Sequence, residues 1–70
     1  EDQLNADVSA SDLPVIEHAI AHEERTAAFY AQLAQMTTIP ALKQAFADLA
    51  EAELSHVAAL QALQEQMSGV

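Results

Sequence analysis

One glycine and two prolines are the strongest helix breakers in this 70-residue chain, and they lie at Pro14, Pro40 and Gly69. Proline is accepted in the first turn of a helix, because the N–H that it lacks has no partner there. Glycine commonly follows the last turn. The three positions therefore predict two long helices, at about 12–36 and about 39–67. A chain of this length has room for one domain, and we expect that domain to be all-α.

The link between the predicted helices is short, since it comprises only residues 37–40. Thr38 can cap the second helix with its hydroxyl group. A link of this length between long helices implies an antiparallel hairpin. Residues 1–10 are mostly polar, and we expect them to form a flexible or weakly helical head. The chain is thus divided into this head and a helical hairpin over 11–70.

The charge of the chain limits its partners. Eleven acidic and two basic side chains give a formal net charge of −9, which repels phosphate backbones and attracts cations. We therefore expect no nucleic-acid partner. No apolar run is long enough to cross a bilayer, so no membrane partner is expected either. The absence of cysteine excludes a disulfide framework and a thiolate metal site.

Each predicted helix has a stripe of residues, spaced alternately by three and four, that a neighbouring helix would bury. On the first helix the stripe consists of Leu13, Ile16, Ile20, Glu23, Ala27, Tyr30 and Ala34. On the second it consists of Leu42, Phe46, Leu49, Glu53, His56, Leu60, Leu63 and Met67. If the hairpin turns about Thr38, Glu23 and Glu53 each lie 15 residues from the turn. Both then lie at one height, roughly 22 Å along the hairpin, with His56 one helical turn beyond Glu53.

Two carboxylates and an imidazole are therefore expected on inward faces at one level. Burying them without partners would cost several kcal/mol each, so they need protons, mutual contacts or a metal. A buried polar residue can instead fix the register of a helical assembly, and a Glu–His pair can satisfy itself. We favour the metal, because clustered and coupled ionisable groups usually mark a functional site.

Each helix has a second apolar stripe, which would remain exposed to solvent in a single hairpin. These stripes consist of Val15, Ala19, Phe29, Leu33 and Met36 on the first helix and Ala47, Ala50, Leu54 and Val57 on the second. A twofold dimer would cover them and form a four-helix bundle. Because the polar level lies near the middle of both helices, the dimer would gather four glutamates and two histidines around one centre. That set matches the ligands of di-iron carboxylate bundles.

The same residues carry a family resemblance. About half the chain, from Ala19 to His56, resembles rubrerythrin-type ferritin-like proteins. The matching residues are Glu23, Tyr30, Leu42, Lys43, Phe46, Leu49, Ala50, Glu51, Ala52, Glu53 and His56, in the order which those proteins show. Because this chain has two helices where that family usually has four, it is most similar to encapsulated ferritins, whose hairpin subunits complete a ferroxidase centre across a dimer interface.

The resemblance implies a fold, an activity and partners. It implies a homodimer at minimum, in a ferritin-like four-helix bundle that can belong to a larger ring. It also implies a ferroxidase that oxidises Fe(II) to Fe(III) for storage, with dioxygen or peroxide as oxidant. Glu23, Glu53 and His56 would be the catalytic metal ligands, with two iron ions shared between two chains. The expected location is cytoplasmic, inside an encapsulin shell where one is present.

Three other residues are weaker candidates. Tyr30 lies two turns from Glu23 and is either a half-buried core residue or a hydrogen-bond donor to a ligand carboxylate. His18 and His22 are four residues apart and could bind a metal on the outer face of the first helix, although such pairs are usually solvated. His22 and Arg25 also stand where encapsulated ferritins carry carboxylates that are thought to guide metal entry.

Two other functions fit the same pattern. In the first, the polar residues only specify a metal-independent helical assembly or adaptor module. In the second, the protein is a rubrerythrin-like peroxide reductase with a separate electron donor. The four-cysteine rubredoxin module of rubrerythrins proper is absent from this cysteine-free sequence, which weakens the second reading.

Overall fold

The computed structural model describes residues 12–68, which form two helices and the link between them. Helix α1 spans Leu13–Met36 and helix α2 spans Pro40–Ser68. They pack side by side along their lengths as an all-α helical hairpin, which confirms the predicted fold class. The predicted head and the predicted stop at Gly69 lie outside the described residues. Neither helix has an apolar stretch that could cross a membrane.

The link is closed by hydrogen bonds of its own backbone and of one hydroxyl group. The Thr37 N–H donates to the Leu33 carbonyl oxygen at 3.1 Å, which ends α1. The Lys43 N–H donates to the Ile39 carbonyl oxygen at 2.9 Å, so Ile39 holds the position that caps α2. The Ile39 N–H donates in turn to Thr37 Oγ1 at 3.2 Å. Thr37 Oγ1 thus orders the link and caps neither helix, and the predicted cap Thr38 precedes the capping position because α2 begins one residue later than predicted.

The inner face of α1 agrees with its predicted stripe. Four of its residues are buried, namely Ile16, Ile20, Ala27 and Ala34. The other three are half-buried, namely Leu13, Glu23 and Tyr30. Toward the open end of the hairpin, Ile16 and Ile20 form the core with Val57 of α2. Glu23 is thus held in the middle of the helix interface, with apolar neighbours above and below it along α1.

The inner face of α2 differs from the prediction. The buried residues are Ala50 and Val57, which were predicted to belong to the second apolar stripe. Leu42, Leu49 and His56, which were predicted to face inward, are exposed. Phe46, Glu53 and Leu60 remain half-buried. The buried stripe of α2 has the predicted spacing, but it contains Ala50 and Val57 in place of Leu49 and His56. Close helix packing favours this stripe, because Ala50 brings a small side chain to an interface that already contains alanines.

This rotation of α2 gives the hairpin two distinct faces. One face, here called the histidine face, carries His56 and the exposed leucines Leu42 and Leu49 of α2. The other, here called the groove face, carries a shallow depression lined by residues of both helices. Its lining is Ala31, Ala34, Gln35, Lys43, Ala47, Ala50, Glu51 and Leu54. Two exposed leucines of α2 therefore lie on the same side as His56.

Candidate metal centre

Glu23 of α1 and Glu53 and His56 of α2 lie at one level of the hairpin. One ligand atom from each of the three side chains can be chosen so that all three atoms lie within 4.8 Å of one another. His56 Nδ1 is 3.4 Å from Glu53 Oε1 and 4.0 Å from Glu23 Oε1. The equal distance of the two glutamates from the turn is the physical reason for this meeting. Among the described residues, this is the group with the donor set and spacing to hold a metal ion.

The three side chains differ in their exposure to solvent. The side chain of Glu23 is 27% exposed and that of Glu53 is 20% exposed, whereas that of His56 is 62% exposed. The prediction that all three point inward is therefore wrong for His56. His56 directly precedes the buried Val57 in α2, so the two side chains point in different directions around the helix axis. The His56 imidazole therefore approaches the carboxylates from the histidine face. The two glutamates form the inner wall of the site, and the imidazole forms its rim.

The two carboxyl groups lie close enough to shift each other's pKa. The hydrogen bond to Glu53 raises the pKa of Glu23, and desolvation and the charge of Glu53 raise it further. The hydrogen bond from Glu23 lowers the pKa of Glu53, and His56 lowers it too, against the effect of desolvation. Glu23 and Glu53 are therefore electrostatically coupled, because each lies close enough to affect the ionisation of the other. A bound cation would stabilise the ionised form of the pair, because it neutralises both carboxylates at once.

One oxygen of the site makes no hydrogen bond. Glu53 Oε1 is buried and lies 3.4 Å from His56 Nδ1, without a hydrogen bond within the described part of the chain. A buried polar atom without a hydrogen bond is costly, and such atoms are uncommon in folded proteins. Here the atom belongs to a carboxylate that lies beside a second carboxylate and an imidazole. This mixture of oxygen and nitrogen donors fits a divalent ion such as iron, manganese or zinc.

The other candidate residues lie around this group. The ring of Tyr30 stacks on Phe46 across the helix interface, with centroids 6.3 Å apart and an interplanar angle of 17°. It also contacts Phe29, at 5.8 Å. Within residues 12–68 its hydroxyl group makes no hydrogen bond to Glu23 or Glu53, and its predicted role stays a prediction.

His18 and His22 are exposed on α1 and do not join the three-residue group. His22 nevertheless lies close enough to act electrostatically on both glutamates, since its charge is among the influences that lower their pKa values. Sequence reasoning missed one feature of the surroundings, which is that Leu49 stays exposed beside the rim of the site. Its spacing of seven residues from His56 was the available signal, because residues seven apart share a helix face.

Comparison with known proteins gives one match. The family model described as Rubrerythrin matches residues 11–70, which is most of the chain. No curated protein and no solved structure is significantly similar to the chain. The match includes all three residues of the candidate centre and both helices.

Proposed function

The chain belongs to the rubrerythrin family, within the ferritin-like superfamily, and we propose that it is a ferroxidase that oxidises Fe(II) to Fe(III) for storage. Membership of this family makes it a ferritin-like iron-binding protein, and the family includes oxidoreductases. The observation that carries the finer proposal is the group of Glu23, Glu53 and His56 at the edge of an uncovered apolar face. These residues would hold iron, and Glu53 would offer it a buried oxygen that makes no hydrogen bond within the described residues.

The histidine face supports an active centre that two chains share. A single hairpin supplies two carboxylates and one imidazole, and the imidazole lies among exposed apolar side chains such as Leu42 and Leu49. Exposed apolar patches on small proteins usually mark contact surfaces. A twofold dimer through this face would place two such ligand sets opposite each other. Two divalent ions would then balance the four carboxylates, which otherwise oppose association in a chain of net charge −9.

Carboxylate ligands determine the chemistry that we expect. When iron is bound, hard oxygen donors favour Fe(III) over Fe(II), so electrons pass readily to dioxygen or peroxide. Glu23 and Glu53 would offset the positive charge of the bound iron. The His56 imidazole would complete the site on the side that faces the partner chain. Ferric iron would then pass to a mineral store. A ring larger than a dimer and enclosure in a cytoplasmic encapsulin shell are further parts of this proposal.

The decisive experiment compares two glutamates of the same helix. Glu53→Gln should abolish rapid Fe(II) oxidation in stopped flow, and His56→Ala should do the same, while circular dichroism shows intact helices. Glu51→Gln is the matched control, since Glu51 is exposed on the groove face and lies outside the centre. It should keep the rate of the native chain. Equal oxidation rates in the native chain and in Glu53→Gln would overturn the assignment.

Peroxide reduction is the second candidate function. The match to the rubrerythrin family supports an oxidoreductase and is equally consistent with either oxidant. Stopped-flow oxidation of the Fe(II)-loaded protein, with equal concentrations of hydrogen peroxide and dioxygen, separates the two activities. Much faster reaction with peroxide would favour the reductase, whereas efficient reaction with dioxygen and accumulation of ferric mineral would favour storage.

A metal-independent assembly module is the third candidate, and the contacts of His56 Nδ1 with Glu23 Oε1 at 4.0 Å and Glu53 Oε1 at 3.4 Å are the observation that favours it. These contacts partly satisfy the two carboxyl groups without any metal. A ligand that binds only the folded protein must raise its melting temperature. An unchanged melting temperature and unchanged oligomer size with Fe(II), Co(II) and Zn(II) would therefore favour this function over iron oxidation.

A further inference from the structure

Two histidines of α1 lie outside the candidate centre and are free to bind a ligand. His18 and His22 are four residues apart, so their Cβ atoms are about 5–6 Å apart on adjacent turns. Both side chains are exposed. Neither imidazole takes part in a hydrogen bond or an ion pair with another of residues 12–68. Two nitrogen donors are thus presented to solvent at a spacing that lets both reach one ion.

The backbone that carries this pair is already ordered. Both residues lie inside α1, which spans Leu13–Met36, and neither is in a terminal turn. The Thr26 hydroxyl donates a hydrogen bond to the His22 carbonyl oxygen at 3.0 Å, which adds a contact within this part of the helix. Binding an ion here would need ordering of side chains only. A preformed backbone lowers the entropic cost of binding.

The electrostatic surroundings favour a cation on balance. The chain has a net charge of −9, and Glu17 and Glu24 are exposed on neighbouring turns of α1. Arg25 is exposed one turn beyond His22 and opposes a bound cation. That opposition is weakened by solvent, because exposed charges are strongly screened. The acidic surface raises the local concentration of divalent cations around the histidines.

We propose that His18 and His22 together chelate one divalent cation of the borderline class, such as Fe(II), Co(II), Ni(II) or Zn(II). Imidazole is a common ligand for these metals. The protein supplies two ligands and water completes the coordination, so the ion exchanges readily. The site is separate from the candidate centre and does not require the proposed oxidase activity.

Nuclear magnetic resonance of the imidazole protons can test this site, because the chain contains three histidines in all. Single His→Gln variants assign the three resonances, and Co(II) then broadens those near a bound ion. In the native chain and in Glu53→Gln, the resonances of His18 and His22 should broaden together with one midpoint. His18→Gln should weaken the Co(II) response of His22 by about tenfold or more, since lesser changes around metal ligands already have that effect.

The matched control is the double variant His18→Gln/Ala28→His. It keeps the number of imidazoles on α1 and the net charge, but it separates the two imidazoles by six residues and places them on different sides of the helix. It should bind Co(II) as weakly as His18→Gln alone. Binding as tight as that of the native chain would overturn the proposal, as would a His22 midpoint changed by less than about twofold in His18→Gln. The response of His56 reports on the carboxylate centre separately, so failure of one site is distinguishable from failure of the other.

Discussion

Leu49 and Leu54 provide a direct test of which face of the hairpin binds a second chain. Both are leucines of α2, and both are exposed, at 43% for Leu49 and 55% for Leu54. Leu49 lies on the histidine face, whereas Leu54 lines the depression on the groove face. If the dimer forms through the histidine face, Leu49→Ala should weaken it and Leu54→Ala should not.

The size of the effect follows from the exposed fraction. Complete burial of a leucine side chain contributes about 1.5–3 kcal/mol. The 43% of Leu49 that remains exposed in the hairpin therefore represents about 0.6–1.3 kcal/mol. A twofold interface buries this surface twice, which amounts to about 1.3–2.6 kcal/mol per dimer. Leu49→Ala should accordingly raise the Kd of the dimer by roughly 10- to 70-fold.

Sedimentation equilibrium of the native chain and of both variants measures this Kd directly. The rate of Fe(II) oxidation provides a second readout, because the proposed centre needs two chains. The Leu49→Ala rate should fall at low protein concentration and recover at high concentration, while Leu54→Ala follows the native chain. An equal loss of affinity in both variants would refute the choice of face. A rate that stays low at every concentration would show that Leu49 acts within the hairpin instead.

Three further changes test the packing, the link and the carboxyl pair. Ile20→Ala should lower the free energy of unfolding by about 2 kcal/mol or more in urea, because Ile20 is buried in the core and alanine leaves a cavity. Lys43→Met should lower it by about 1 kcal/mol in the same assay, since Lys43 Nζ donates a 2.6 Å hydrogen bond to the Ala34 carbonyl oxygen near the end of α1. Glu23→Gln concerns the metal-free protein in EDTA, where the raised pKa of Glu23 adds stability that is complete below pH 4.5 and is lost as the pH rises through the folded-state pKa. The amide mimics the protonated acid, so in thermal melts the variant should gain stability relative to the native chain between acidic and neutral pH.

Each of these variants has a control of similar chemistry at an exposed position of α1. Gln32→Ala shortens an exposed side chain of the same helix and should change stability by less than about 0.5 kcal/mol. Arg25→Met removes the other basic residue, whose side chain is exposed, and should have an equally small effect. Glu24→Gln neutralises an exposed carboxylate next to the centre. A pH dependence for Glu24→Gln that equals that of Glu23→Gln would show that the effect is one of general charge and not of the proximity of Glu23 to Glu53.

The inner face of α1 was easier to predict, because charge excludes burial on one side of its stripe. On one side of the stripe that contains Glu23, the flanking positions include the charged Glu17 and Glu24. Burying that side would place two unpaired carboxylates in the interface, which is strongly unfavourable. Periodicity and charge therefore both favour the predicted stripe of α1, and the structure shows that this stripe faces α2. The height at which Glu23 meets Glu53 follows from the position of the turn alone.

The inner face of α2 was not predictable by the same reasoning. Apolar residues flank Glu53 on both sides, with Leu42 and Leu49 on one and Ala50 and Val57 on the other. Either side gives a stripe of correct spacing, so periodicity does not choose between them. The choice depends on how closely the two helices approach, which is set by side-chain volumes on both helices together. Sequence patterns of one helix taken alone do not contain that information.

The rotation of α2 has a functional consequence, because it moves His56 to the face that carries the exposed leucines. In the predicted arrangement, the His56 imidazole would be enclosed within one hairpin, and Leu42 and Leu49 would be buried in the core of that hairpin. In the structure, the partly open ligand set and the uncovered apolar surface share one face. A chain that covers this face would bury apolar surface and reach the metal ligands in a single event. Metal binding and dimer formation are then linked, so the factor by which iron tightens the dimer must equal the factor by which dimer formation tightens iron binding.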